Sequence, residues 1–232
     1  ASFMVTGGKI GQIIGRKRAF AIGCVIYGCG SMTTALAPSL PVLLIGWSGL
    51  EGLGAALILP AIVALVAANF GRAERPRAYG LVTAAAAIAV AVGPIVGGLF
   101  TTYLSWRYVF AGEVLVVLVV LVLSQRIEAD KPEAKVQLDL VGTALSAAGL
   151  GLIVFGILRS GTWGLVRPKA EGPEWIGLSP VIWLILAGGL VIWAFVLWEN
   201  RVLARGGEPL VDPAILQVKA LRAGLNTFLF QY

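Results

Sequence analysis

The sequence predicts an all-α chain that crosses a membrane several times, a polytopic transmembrane helix bundle, on three observations. Hydrophobic residues fill 58% of its 232 positions and charged residues 13%, where an ordinary soluble domain carries about 25% charge. The mean hydropathy is +0.90, which leaves too few polar side chains to cover a water-facing surface of this size. The charges are also clustered, and the stretches between clusters suit bilayer-crossing helices of roughly 20 apolar residues. Disorder is excluded along with a soluble fold, because disordered chains combine low hydrophobicity with high net charge.

The charge-free stretches run from Ala19 to Leu50, Gly52 to Gly71, Ala78 to Trp106, Val114 to Gln125, Leu140 to Leu158, Trp175 to Trp198 and Ala223 to Tyr232. Pro38 and Pro41 divide the first at a tight turn. Six complete spans are therefore expected, at about 19–37, 41–68, 79–101, 108–125, 140–158 and 180–198. Ala1 to Gly8 and Ala223 to Tyr232 are apolar but too short to cross, and Ala1 to Gly8 lacks the charged region and cleavage site of a signal peptide. They read as the cut ends of two further helices, so an internal piece of a longer protein is expected. Residues 159–179, with Gly161, Gly164, Pro168, Gly172 and Pro173, read as an external loop of turns. In 199–222, Asp212 and Pro213 suit the N-cap and first position of a short interfacial helix.

Orientation follows from the basic residues, which accumulate in short cytoplasmic loops. One alternating set of loops holds Lys9, Arg16, Lys17, Arg18, Arg72, Arg75, Arg77, Arg126, Lys131, Lys135, Arg201, Arg205, Lys219 and Arg222. The other holds only Arg107, Arg159, Arg167 and Lys169. Fourteen of eighteen basic residues thus mark the cytoplasmic side. The net charge of +6 is a topology signal, the partner is the lipid bilayer, and no nucleic acid is implied. Tyr103, Trp106, Tyr108, Trp163 and Trp175 fall near the outer interface, as aromatic belts do.

Several chemistries lack their tools. The chain has no histidine, which removes imidazole bases and His-ligated zinc. No Walker-type glycine loop with Lys and Ser/Thr occurs, so an ATP-driven pump is unsupported. Cys24 and Cys29 are five apart, about 140° around a helix, which suits packing better than a metal pair or disulfide. No enzyme, cofactor or metal is expected.

The third complete helix repeats Ala85, Ala89, Gly93 and Gly97 every four residues. Small residues at that spacing form a groove where another helix backbone approaches closely. Pro94 removes a backbone donor and crowds the carbonyl of Val90, loosening the helix. Packing plus a kink is a sufficient account of this helix taken alone.

With Ala89, the run Gly93-Pro94 and Gly97-Gly98 resembles the antiporter motif of the major facilitator superfamily. Gly8-Lys9-Ile10-Gly11-Gln12-Ile13-Ile14-Gly15-Arg16-Lys17-Arg18 is similar to that family's signature loop between its second and third helices. Trp106-Arg107-Tyr108-Val109-Phe110 resembles the segment opening the sixth helix in the fourteen-helix drug:proton antiporter branch. The resemblance covers essentially the whole chain, from the end of family helix two to the start of helix nine. It implies an N-terminal bundle at 1–125, a cytoplasmic linker at 126–139, two extra central helices at 140–198, and a loop with the start of the C-terminal bundle at 199–232.

In the signature loop, Gly8, Gly11 and Gly15 would allow tight turns, while Arg16, Lys17 and Arg18 hold the headgroup side. In the family this loop latches the outward-facing state. The family's usual aspartate falls here on Gln12, which hydrogen-bonds but carries no charge for a salt-bridge latch. A basic anchor without gating is the other reading.

A second departure lies between 41 and 68. The family's common arginine and glutamine, three apart, fall on Ser48 and Glu51. Glu51 is the only ionisable residue well inside a complete span, where a charge costs about 2.5 kcal/mol or more unless paired, wetted or protonated. Such an acid, facing a water-filled cavity, binds a proton or a cationic substrate in exclusive alternation, or it stays protonated and hydrogen-bonds a neighbouring helix. Glu113 lies about five residues inside the outer end of its helix and is the weaker candidate, close enough to reach the interface.

The resemblance implies a monomeric, multi-pass carrier in the plasma membrane, the bacterial inner membrane. It implies proton-coupled export of lipophilic or cationic small molecules by alternating access. A carrier for one metabolite and a non-transporting sensor or scaffold are the open alternatives.

Overall fold

In a computed structural model of the chain, residues 3–128, 138–169 and 172–211 are described, with 218, 219, 221, 223, 224, 226 and 227 beyond them. The helices are α1 (Met4–Ile14), α2 (Arg16–Ala35), α3 (Leu40–Leu44), a π-helical turn (Ile45–Glu51), α4 (Gly52–Asn69), α5 (Arg75–Tyr103), α6 (Arg107–Ser124), α7 (Leu140–Trp163) and α8 (Pro180–Ala204). The helices α1 to α6 belong to one unit, and α7 and α8 to another. The α3 to α4 stretch is a continuous 30-residue rod, Leu40–Asn69.

Five described helices are long and apolar enough to cross a membrane: Leu40–Asn69, α5, α6, α7 and α8. The sixth expected span, at 19–37, is α2, which falls short in composition rather than length. Its first turn is Arg16-Lys17-Arg18, and its middle carries Gly23, Gly28, Gly30, Ser31 and Thr34. Those small and hydroxylated residues are buried, so they face other helices instead of lipid, and α2 is the centre of its unit.

The amino-terminal region also differs from expectation. The apolar segment ending at Gly8 continues as helix to Ile14, and most of the expected signature loop is therefore helical. Gly8 and Gly11 lie one turn apart and serve packing rather than turning: a Cβ at Gly8 would stand 3.6 Å from Pro60, and one at Gly11 3.7 Å from Ala19. The chain turns only at Gly15, whose φ of 93° is a conformation that favours glycine.

Two cations fasten α2 to α6 at opposite ends. Lys17 Nζ donates to the carbonyls of Gln125, at 2.9 Å, and Ile127, just past the end of α6. From the first turn of α6, Arg107 Nη2 donates to Ala37 O at 2.7 Å and Nη1 to Ala35 O at 3.4 Å, just past the end of α2. Each helix thus supplies a cation to the other's carboxyl-terminal carbonyls, which lack partners within their own helix and carry partial negative charge. Between them Phe20 and Cys24 of α2 pack with Ala61 and Leu65 of α4, flanked by Val117, Val120 and Leu121 of α6.

The end of α5 that follows the Arg72–Arg77 cluster is tied to α4. Tyr79 Oη donates to Val63 O at 2.9 Å, and Arg75 Nη2 to Ala67 O at 2.6 Å. In the second unit α7 is longer than expected, running to Trp163, so the external loop starts at Gly164 and not at 159. Arg159, placed 5.4 Å from the Phe155 ring and 5.2 Å from Trp163, packs on aromatics one turn to either side of it along α7. Ser179 caps α8 by accepting from Val181 N, with Pro180 in the first turn. The expected interfacial helix at Asp212 and Pro213, most of the 126–139 linker, and Lys131, Lys135 and Arg222 lie outside the described residues.

A tight crossing joins α2 to the π-helical turn. A Cβ on Gly30 would stand 2.8 Å from Glu51 Cγ, Glu51 N and Gly46 O, and one on Gly46 2.5 Å from Thr34 Oγ1. Gly30→Ala is therefore expected to destabilise the full-length protein by about 1–3 kcal/mol, read as a lowered thermal midpoint in detergent. An unchanged midpoint would show that the crossing has slack.

Candidate coupling site

The π-helical turn, a wider geometry that recurs at functional sites, ends on Glu51. Because Gly30 and Gly46 bring the two backbones together, the Glu51 side chain lies against α2 beside Ser31. Ser31 is fully buried and Glu51 is 5% exposed. Ser31 Oγ lies 3.1 Å from Glu51 Oε1 and 3.0 Å from Glu113 Oε2 of α6. Tyr27, one helical turn before Ser31, also brings its hydroxyl to Glu51. Three helical segments thus converge on one serine.

The hydrogen count of this trio decides its chemistry. A serine hydroxyl has one hydrogen and can donate it to only one of two carboxylates. If both acids were ionised, two negative charges would flank one hydroxyl and one oxygen would face another without a proton between them. With one acid protonated, that acid donates to Ser31 and Ser31 donates to the other. The geometry therefore fits a pair of carboxyls holding at least one proton, the arrangement that like charges sharing a site adopt.

An aromatic group adjoins the pair one turn away along both helices. Phe110 meets Trp47 at 5.8 Å and Trp106 at 5.9 Å, both edge-to-face. Arg107 sits 4.9 Å from the Trp106 ring centre while it holds the end of α2. The expected outer-end motif, Trp106 and Arg107, is thus a fastening that keeps Ser31 and Glu113 in register.

The sequence profile of the Major Facilitator Superfamily matches residues 1–208. The chain belongs to the Major Facilitator Superfamily. It is 33% identical over 220 residues to a cephamycin export protein of Amycolatopsis lactamdurans, covering 93% of this chain and 42% of that protein. A puromycin resistance protein of Streptomyces alboniger is 32% identical, over 92% of this chain and 39% of its own. A multidrug resistance protein of Mycobacterium tuberculosis is 31% identical, over 91% and 37%. The chain spans about two fifths of the length of the curated relatives it matches.

The family's motifs are distributed unevenly in this superfamily member. Ala89, Gly93, Pro94, Gly97 and Gly98 all lie on α5. A Cβ at Gly93, Gly97 or Gly98 would meet nothing within 4 Å, so among the described residues no helix fills the expected groove. In the signature segment, Gly8, Gly11 and Gln12 are helical, Gly15 is the turn, and Arg16 and Arg18 open α2. Lys17, expected to hold headgroups, instead holds the end of α6.

Glu113 was the weaker acid in the sequence, expected to reach the interface, and the structure turns it inward to Ser31. Ser31 and Tyr27 were missed altogether. Their signal is spacing: Tyr27 and Ser31 are four apart, one turn, on a helix that also buries Thr34. Singly replacing Glu51→Gln and Glu113→Gln, then both, is expected to give stability changes that fail to add by about 0.5–3 kcal/mol in a thermal double-mutant cycle. Additive changes would mean that the two carboxyls do not share a proton.

Proposed function

We propose that the full protein exports lipophilic or cationic small molecules across the plasma membrane in exchange for protons, by alternating access, each chain working alone. The observation that carries this reading is the Ser31-bridged pair of Glu51 and Glu113 inside the helix bundle. Membership of the superfamily and the likeness to proteins named for export and resistance support it. No enzymatic step is part of it.

Two acids with one proton carry one negative charge and gain a second only when the proton leaves. A cation entering beside Glu51 and Glu113 finds one carboxylate at once and gains the other by displacing the shared proton. Proton and cation then exclude each other electrostatically, which makes exchange obligatory. The hydroxyls of Ser31 and Tyr27 carry the hydrogen bonds that hold the carboxyls in place during the swap. The Trp47, Trp106 and Phe110 rings offer an apolar, π-rich surface beside the charge, the combination that suits a lipophilic cation.

The full-length protein in inverted vesicles provides the test. Lipophilic cations added to vesicles carrying an imposed pH gradient are expected to release protons through wild type. Glu51→Gln and Glu113→Gln are each expected to raise the cation concentration needed for half-maximal release about 5- to 150-fold, the range of ordinary coupling free energies. Undiminished release in both variants would move the coupling acid elsewhere. No response in wild type across a broad panel would overturn drug export.

A further inference from the structure

A second pair of carboxyls lies in the other unit, where the start of α7 meets the end of α8. Asp139 caps α7, its Oδ1 accepting from Gly142 N at 2.9 Å, and its Oδ2 accepts from the Trp198 indole at 2.8 Å. Glu199 is 1% exposed, and its Oε2 accepts from Val211 N at 2.9 Å. Its other oxygen, Oε1, is buried without any hydrogen-bond partner. That oxygen and Asp139 Oδ2 close on the same point: a Cβ at Gly142 would stand 2.5 Å from each.

A buried carboxylate oxygen without a donor, turned toward a second carboxylate, carries both a desolvation cost and like-charge repulsion. One hydrogen removes both. Placed on Glu199 Oε1, it makes the acid a donor to Asp139 Oδ2, and every oxygen of the pair is then satisfied. The groups around Glu199 are Asp139 from the start of α7, Trp198 from its own helix, and the backbone of Val211 from the segment after α8. The charged residues that follow, Arg201, Arg205 and Glu208, are exposed.

We propose that Asp139 and Glu199 form a second proton-binding site, holding one proton between them at the cytoplasmic end of the α7–α8 hairpin. The bound proton joins three pieces of chain: the first turn of α7, the last turns of α8, and the segment around Leu210 and Val211 packed on it. Leu210 is itself buried, at 5% exposure. Loss of the proton sets two carboxylates against each other and loosens that junction. The site shares no residue with the Glu51 and Glu113 pair and does not depend on the export reading.

Infrared difference spectroscopy of the full-length protein, in a Glu51→Gln/Glu113→Gln background that silences the other pair, reads the proton directly. At neutral pH a protonated-carboxyl carbonyl band is expected, and either E199Q or D139N should abolish it. E199Q supplies the missing N–H donor to Asp139 Oδ2, so it is expected to fold, with a thermal midpoint that varies less with pH than that of the background protein. D139N supplies a donor to Glu199 but removes the acceptor of the Trp198 indole, so it is expected to be the less stable of the two. A band that survives in folded E199Q and D139N, or no band at neutral pH, would overturn the proposal. Failure of E199Q to fold would also overturn it, because a neutral donor at Glu199 is what the site is argued to need.

Discussion

One hydroxyl hydrogen between two membrane-buried carboxyls is the constraint on which the first unit depends. Ser31 can satisfy Glu51 and Glu113 together only if α2, the π-helical turn and α6 keep their register to within a fraction of an ångström. The rest of the unit supplies that register. Gly30 and Gly46 remove the side chains that would hold α2 off the turn, and Lys17 and Arg107 fix the ends of α2 against α6. Both cations bond helix-end carbonyls, away from the acids.

This division explains why α2 is the least lipid-like of the long helices. In a bilayer, apolar side chains gain nothing by leaving lipid for protein, so association rests on close packing and polar contacts. α2 has both: buried glycines for approach and buried hydroxyls for hydrogen bonds. α5 has the small residues, yet its antiporter-motif face meets no other helix among the described residues. The second unit repeats the logic in miniature, with Gly149 and Gly188 at the crossing of α7 and α8 and a carboxyl pair at its end.

The spans were legible because charge is excluded from the bilayer core over whole helices, a signal that survives without any knowledge of contacts. Pro38 and Pro41 marked a turn correctly, and the superfamily was legible from short motifs. The errors came where charge and helix do not coincide. Lys9 and Arg16 to Arg18 suggested a loop, but Lys9 lies midway along α1 and Arg16 to Arg18 form the first turn of α2. Arg159 suggested the end of α7, but its guanidinium packs on aromatic rings and the helix continues. Glu51 was visible because it stands alone in an apolar window. Its partner was not, since 62 positions separate it from Glu113 and nothing local marks Ser31 as the bridge. Glu199 sits at the edge of its window, where an acid reads as a solvated end, and only the fold shows it buried.

The central claim is that Glu51 and Glu113 carry one exchangeable proton between them. The direct measurement is proton release when a transported lipophilic cation binds the purified full-length protein in weakly buffered detergent at neutral pH. One proton per bound cation is expected, falling to none when both acids are glutamine. Cation binding without proton release in wild type, or undiminished release in the double variant, would contradict the account.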